Sequence, residues 1–346
     1  MTVSKKFAAA VMAAVLASPA VAAPPSSATV ERTDSGALLV RWTGAGPVDV
    51  LIADKPEAGP RQARLVSARD ADGTEVVPGD APRSYVLLRD PASGKFLRVA
   101  ERLVPLEHGS NFRDIGGYAL SGGRHVRWGL IYRSGGTPLL DDADLARVKA
   151  LGLATMVDLR SSEERVLAPS RIQGVPYQAV GYSMASLNVA GGMGATYKGL
   201  PLMLKPQLRL LFTDLLRGEG PVAFNCSAGQ DRTGFAAAMV LSALGAPRDT
   251  ILADYHLSTV YRRPANEMPK IDPAVAAGNP VAAMFASYQR PEFQKPTPLK
   301  TADGKAFLSF AFEEIEARWG SVDNYLRQEL GIGAAERKRL RELYSE

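Results

Sequence analysis

Residues 221–234 read Pro221-Val222-Ala223-Phe224-Asn225-Cys226-Ser227-Ala228-Gly229-Gln230-Asp231-Arg232-Thr233-Gly234 and hold the single cysteine of a 346-residue chain. Pro221 to Phe224 has the apolar run of a short buried strand, and Thr233 to Leu244 has the Ala, Met and Leu content of a helix. A loop between a strand and a helix N-terminus can aim successive backbone N–H groups at one point, where an anion is favoured. Gly229 lets the backbone curl there with no side chain in the way. Ser227, Ala228, Gly229, Gln230 and Thr233 are thus the expected phosphate-binding residues. A thiol at a helix N-terminus beside a cation ionises at roughly pH 3.5 to 7.5, so Cys226 is the expected nucleophile. Arg232, six positions on, offers a planar fork of donors suited to two phosphoryl oxygens. The Thr233 hydroxyl can donate to the sulfur and ease its departure. A free cysteine is ordinarily a small buried hydrophobe, but Gly, Asp, Arg and Thr at these spacings favour chemistry.

Flanking blocks accompany the loop in order: Asn111-Phe112-Arg113-Asp114-Ile115-Gly116-Gly117-Tyr118, Val126-Arg127-Trp128-Gly129 with Tyr132-Arg133-Ser134, and Val157-Asp158-Leu159-Arg160-Ser161. Asp254-Tyr255 with Leu257-Ser258 and Gly320-Ser321-Val322 with Tyr325-Leu326 follow. With them, the loop resembles the Cys-x5-Arg-Thr/Ser signature of cysteine-dependent protein tyrosine phosphatases. It is most similar to bacterial tyrosine/lipid phosphatases, whose loop usually reads His-Cys-x-Ala-Gly-Lys-Asp-Arg-Thr-Gly. The resemblance spans roughly residues 107–346. It implies that Cys226 attacks phosphorus while Arg232 and loop amides hold the oxygens, and that Asp231 serves as general acid. The alternative role for Asp231 is pairing with Arg232 or capping the helix; Asp158 and Asp114 are reserves. Asn225, Arg113, Asp114, Asp158 and Arg160 are expected as supports around the loop, with Arg160 able to reach a second substrate phosphate. Two departures stand out. Asn225 replaces the usual His and carries no charge. Gln230 replaces the usual Lys, which removes one cation and counts against highly anionic substrates.

Lys5 and Lys6, the apolar run Phe7 to Leu16 and Ala20-Val21-Ala22 read as a signal peptide, residues 1–22, and predict a periplasmic or secreted enzyme. The run is shorter than the about 20 residues a membrane span needs, so no stable membrane insertion is expected. One cysteine allows no internal disulfide and no resolving thiol. Loss of the leader lowers the formal net charge from +5 to +3. No Lys/Arg cluster alternates with aromatics, so no nucleic-acid partner is expected. His108, His125 and His256 lack ligand spacing, so neither metal nor cofactor is expected. Arg337-Lys338-Arg339-Leu340-Arg341 between Glu336 and Glu342 reads as a solvated helix face.

About 320 residues suffice for two cores. Residues 28–105 read as β, with strands expected over 37–42, 48–52, 83–88 and 96–100 between turn clusters. This spacing, with Trp42 to fill the interior, suggests a small β-sandwich resembling a fibronectin type III domain, for which the sequence names no partner. Residues 107–346 alternate strand and helix: helix over 139–151, strand over 154–159, helix over 207–216, then strand, catalytic loop and helix. The fold class expected is α/β, a central largely parallel sheet flanked by helices with its ligand site at the strand carboxyl ends. Residues 186–200 and 262–306, rich in Gly, Met, Pro and Ala, read as a mobile cover or plain loops. The leading function is an exported phosphomonoesterase that takes a phosphorylated protein, through phosphotyrosine, or a small phosphomonoester. An inositol-phosphate or phosphoinositide phosphatase is the alternative. A catalytically silent phosphate-binding module comes third, opposed by intact Cys226, Asp231 and Arg232.

Overall fold

The computed structural model describes residues 25–44, 46–184 and 191–346. The expected signal peptide, residues 1–22, lies outside the described residues. First in the chain come β1 (Ser27–Arg32), β2 (Leu38–Thr43), β3 (Val48–Ala53), β4 (Arg64–Asp70), β5 (Thr74–Val77), β6 (Tyr85–Arg89) and β7 (Phe96–Ala100). They pair antiparallel in two sheets ordered β1-β2-β5 and β4-β3-β6-β7. Leu38, Val40 and Trp42 alternate inward along β2 and meet Val48, Val50, Val86, Leu88 and Val99 of the other sheet in one core. These sheets fit a separate domain. The expected strands correspond to β2, β3, β6 and β7. β1, β4 and β5 were not expected; no residue of β4 is buried, so it carries no inward stripe.

The rest of the chain runs β8 (Arg113–Asp114), β9 (Ile131–Ser134), α1 (Asp142–Ala150), β10 (Thr155–Asp158), α2 (Ser162–Leu167), β11 (Tyr177–Ala179), α3 (Gly192–Met203), α4 (Lys205–Arg217), β12 (Val222–Asn225) and α5 (Arg232–Leu244). It continues through α6 (Arg248–His256), α7 (Ser258–Tyr261), α8 (Pro273–Gly278), α9 (Pro280–Tyr288), α10 (Phe307–Trp319), α11 (Val322–Leu330) and α12 (Ala334–Tyr344). The sheet order is β11-β10-β12-β9-β8. β10 is parallel to β11 and β12, and β12 to β9, but β8 is antiparallel to β9. The sheet is therefore mixed rather than simply parallel. The chain returns from β8 to β9 without a crossover helix, and only an antiparallel neighbour permits that.

Side chains alternate between the two faces. Ile131, Val157, Val222 and Phe224 enter the larger core with α4, α5 and α10 to α12, while Tyr132, Met156 and Ala223 meet Val148 of α1 and Leu151 on the other face. α5 is buried on nearly every side among α6, α10, α11 and α12. A strand and a helix that are both locked in the core thus hold the two ends of the 226–231 loop. Part of the expected cover is helical: α3 begins at Gly192, and α8 and α9 lie within 262–306. α3 contains Gly194, Gly199 and Pro201, poor helix formers; packing along α10, with Gly194 against the Phe310 ring, overrides that propensity. Arg83 pairs with Asp114 at 2.9 Å and the Trp128 indole donates to Arg98 O at 3.1 Å, joining the N-terminal sheets to the mixed sheet. Among the described residues no helix is long and apolar enough to cross a membrane.

Candidate active site

Cys226 is the first residue beyond β12, at the carboxyl end of a central strand, and is buried. Neighbouring segments pin the loop by its carbonyls. Leu159 N donates to Asn225 O (2.8 Å) and Gly136 N to Ser227 O (2.7 Å). Asn111 Nδ2 donates to Ala228 O (3.1 Å) and Gly229 O (2.9 Å), and Arg133 Nη2 donates to Gly229 O (2.8 Å). A carbonyl held outward turns its peptide's N–H inward. Among the described residues, the N–H groups of Ser227 to Arg232 meet no acceptor. Gly229 has φ +65°, and a Cβ there would lie 2.5 Å from Gly135 N and 2.6 Å from Ser134 O, so no larger residue fits.

Behind the loop, Arg113 Nε (3.1 Å) and Arg133 Nη1 (2.5 Å) share the carboxylate of Asp254 on α6. All three are buried. Burial would raise the Asp254 carboxyl, but the guanidiniums of Arg113 and Arg133 hold it far below the ordinary carboxylate range. Arg113 also donates to the Asn111 amide oxygen, which fixes the side chain that grips two loop carbonyls.

Arg232 opens α5 with its guanidinium held end-on by Glu164, Nη1 to Oε2 and Nη2 to Oε1, both at 2.6 Å. Glu164 also accepts from Ser227 Oγ (2.6 Å) and Ser161 N (2.8 Å). Burial raises its carboxyl, yet the field and hydrogen bonds of Arg232 prevail and lower it to about 2. Arg232 Nη1 also donates to the Tyr182 hydroxyl (2.6 Å), which in turn donates to Leu159 O (3.0 Å). With one end of the fork occupied, Nε makes no hydrogen bond among the described residues. The side of the guanidinium, Nε with the second proton of Nη2, is left for a ligand.

Asp231 neither pairs with Arg232 nor makes a side-chain cap to α5. Its Oδ1 accepts from the Tyr197 hydroxyl at 2.5 Å, and Tyr197 contacts the Tyr255 hydroxyl at 2.6 Å. Burial, with Asp231 and Tyr255 adding to it, raises the Tyr197 hydroxyl well above its ordinary value, so it stays protonated and donates. Gln230 Nε2 lies 3.3 Å from Asp231 Oδ1, and Gln230 Oε1 accepts from Arg262 Nη1 at 3.3 Å. Asn225 Nδ2 donates to Cys226 O at 3.3 Å. Thr233 Oγ1 is directed to Ser134 O, at 3.5 Å.

The remaining expected residues lie away from the loop surface. Arg160 is fully buried, chelated by Asp158 and donating to Ala168 O at 2.6 Å. Asp114 is fully buried among Arg83 and the N–H groups of Gly116 and Gly129, both at 2.7 Å. Asp158 and Asp114 make no hydrogen bond to residues 226–232. His108, Asp141 and Asp144 converge within 4.8 Å, a grouping that their spacing in the chain does not reveal. Both carboxylates have local work there: Asp141 caps α1, and Asp144 accepts the N–H groups of Glu107 and His108.

Residues 104–346 match the family described as "Tyrosine phosphatase family". The chain belongs to the tyrosine phosphatase family. It is accordingly an enzyme of the protein-tyrosine-phosphatase class. It is 34% identical over 251 residues to a Cupriavidus necator protein whose name provisionally assigns it to the tyrosine-protein phosphatases, covering 66% of this chain and 84% of that one. It is 29% identical over 274 residues to the triple specificity protein phosphatase PtpB of Mycobacterium tuberculosis, covering 67% and 95%. A structure of a cysteine-to-serine variant of TpbA from P. aeruginosa in complex with pTyr aligns at TM-score 0.24 and 19% identity, covering 38% of the phosphatase and 71% of that chain.

Sequence reasoning did not place Asn111, Arg133, Glu164, Tyr182, Tyr197, Asp254 or Tyr255 at the site. Asn111, Arg133, Asp254 and Tyr255 lay within the blocks that carry the resemblance, so that signal was present. Glu164 was visible only as the fourth residue of Ser161-Ser162-Glu163-Glu164, a capping-box pattern that the structure forms at α2. Tyr182 and Tyr197 carry no such local signal.

Proposed function

We propose that this phosphatase is an exported phosphomonoesterase that hydrolyses phosphotyrosine through a cysteinyl-phosphate intermediate. The supporting observation is the ring of inward, unpartnered loop N–H groups centred on Cys226, with Arg232 poised beside it. In the first step Sγ attacks phosphorus in line, the P–O bond to the aryl group breaks, and its electron pair goes to the leaving oxygen, which takes a proton from Asp231. In the second, water attacks the thiophosphate, gives its proton to the Asp231 carboxylate, and the thiolate departs. The loop amides and the side of the Arg232 guanidinium bind the equatorial oxygens throughout, and positioning with charge stabilisation supplies most of the rate. Ser227, Ala228, Gly229, Gln230 and Thr233 form the cradle. Asn225, Arg113, Asp114, Asp158 and Arg160 hold its surroundings.

Residues 28–105 are proposed as the sandwich domain and residues 107–346 as the catalytic one. Lys5, Lys6 and the apolar run after them support export, tested by whether the mature chain begins just after Ala22 or Ala23. The central test is Cys226→Ser, which should lose turnover of an aryl phosphate by at least about a thousandfold while still binding inorganic phosphate. Acid quenching of the wild-type enzyme during turnover should trap phosphate on Cys226. Substantial turnover by the serine variant would overturn the mechanism. Faster turnover of phosphoinositides or inositol phosphates than of phosphotyrosyl peptides would overturn the substrate.

A further inference from the structure

Two cations at the loop each have an acid of their own. Arg232 has Glu164, and a second arginine, Arg262, has Glu267. Arg262 follows α7, in extended backbone at φ −71° and ψ 135°. Its Nε and Nη2 bind the two oxygens of Glu267 at 2.8 and 2.9 Å, while Nη1 reaches Gln230 Oε1. Glu267 is itself fixed by Ser110 Oγ at 3.0 Å. Burial pulls the Arg262 guanidinium down, but the hydrogen bonds and charge of Glu267, with Asp231 and Cys226 adding to them, raise it above its ordinary value. The clamp leaves protons of Nη1 and Nη2 undirected, and the Arg262 side chain keeps 21% of its surface in solvent.

The next residue adds a further positive charge. Arg263 is exposed, and its Nη1 donates only to the neutral carbonyls of Leu106 and Glu107 at 3.0 and 3.2 Å. Among the described residues it makes no ion pair. Arg262, Arg263 and Glu267 together carry one net positive charge on the segment after α7, with Arg262 the member that reaches the loop at Gln230.

We propose that Arg262, supported by Arg263, determines specificity by binding a carboxylate of the substrate next to its phosphotyrosine, so that the preferred substrate class is an acidic phosphotyrosyl peptide. This rests on the phosphotyrosine reading above. The occupant the structure points to is a carboxylate, since one already fits the Arg262 fork and a planar two-oxygen acceptor matches the protons left. Glu267 sets how much of the charge a substrate meets.

The experiment compares two phosphotyrosyl peptides identical except for Glu or Gln beside the phosphotyrosine, with inositol hexakisphosphate as a third substrate. Wild type should turn over the Glu peptide at lower KM. Arg262→Ala should raise KM for the Glu peptide about three- to tenfold more than for the Gln peptide, with kcat for the two falling in step. Arg262→Lys should keep much of the preference, and Glu267→Gln should strengthen it. Arg263→Ala, at an exposed position, should weaken it in the same direction. Equal effects on both peptides, or no wild-type preference, would overturn the inference while leaving phosphotyrosine hydrolysis intact. Loss confined to the inositol polyphosphate would overturn it in favour of a small polyanion. Failure to turn over either peptide would instead overturn the functional reading itself.

Discussion

Glu164→Gln tests how far the loop's arginine depends on its buried counter-ion. The glutamate is fully buried and its carboxyl lies at about 2, against an ordinary 4.5, because Arg232 and Ser227 outweigh the cost of burial. A carboxyl lowered that far stabilises the folded chain by about 3 kcal/mol at neutral pH. Breaking a buried pair from one side costs a similar about 3 to 5 kcal/mol, since the other charge is left uncompensated. Glutamine keeps the shape but turns an amide N–H₂ toward one Arg232 donor. Urea unfolding at pH 7 should show the variant less stable by about 3 kcal/mol. Saturating inorganic phosphate should narrow that gap, because a bound dianion becomes a new counter-charge for Arg232. The sign with pH is fixed by a lowered carboxyl. The stabilisation is complete above pH about 4.5 and disappears as pH falls through about 2, so wild type and variant should converge across that window. A variant within about 0.5 kcal/mol of wild type at pH 7, the range of an ordinary surface change, would refute the reasoning.

Other perturbations separate the loop's parts. Gly229→Ala places a Cβ against Ser134 and Gly135 backbone at positive φ; isothermal titration with inorganic phosphate should show binding weakened at least about tenfold, and unchanged affinity would mean that the loop is not tightly constrained. Asp231→Asn should lower kcat for phenyl phosphate by about a hundredfold or more, and much less for p-nitrophenyl phosphate, whose leaving group needs no proton. Tyr197→Phe should give a smaller loss with the same leaving-group dependence; equal losses on both substrates would place these residues outside proton transfer. Mild peroxide should inactivate the enzyme, phosphate should protect it, and excess chelator should leave the rate unchanged, each read from initial rates.

What the sequence revealed depended on whether a feature was local. The strand–loop–helix of 222–244 is contiguous, and its apolar content alone marks the two buried elements that hold the loop. The antiparallel β8 is two residues long and leaves no period to detect. α3 was hidden by its glycines and Pro201, because the packing along α10 that makes it helical is not written in its own propensities. The same divide runs through the site. Gly229 and Arg232 lie within six residues of Cys226, whereas Glu164 is 68 residues from Arg232 and Tyr197 34 from Asp231. Glu164 is the instructive case: its capping pattern could be read, but a cap satisfies one N–H and gives no sign that both oxygens also face a cation 68 residues away.

The grip on carbonyls explains why so many buried charges surround so short a loop. A free chain of six residues would turn some carbonyls inward and repel an anion. Here Leu159 N, Gly136 N, Asn111 Nδ2 and Arg133 Nη2, from four separate segments, hold the carbonyls of Asn225, Ser227, Ala228 and Gly229 outward. Two of those donors are themselves fixed by Arg113 and Asp254, and Asp254 compensates two guanidiniums at once. The pocket's attraction for a dianion then comes mainly from preorganised amides and the start of α5, since Arg232 and Arg262 are largely neutralised by Glu164 and Glu267. Such a pocket gains little from additional charge on the scissile group; on the inference above it discriminates by what flanks it, where Arg263 and the fifth of the Arg262 side chain left in solvent are exposed.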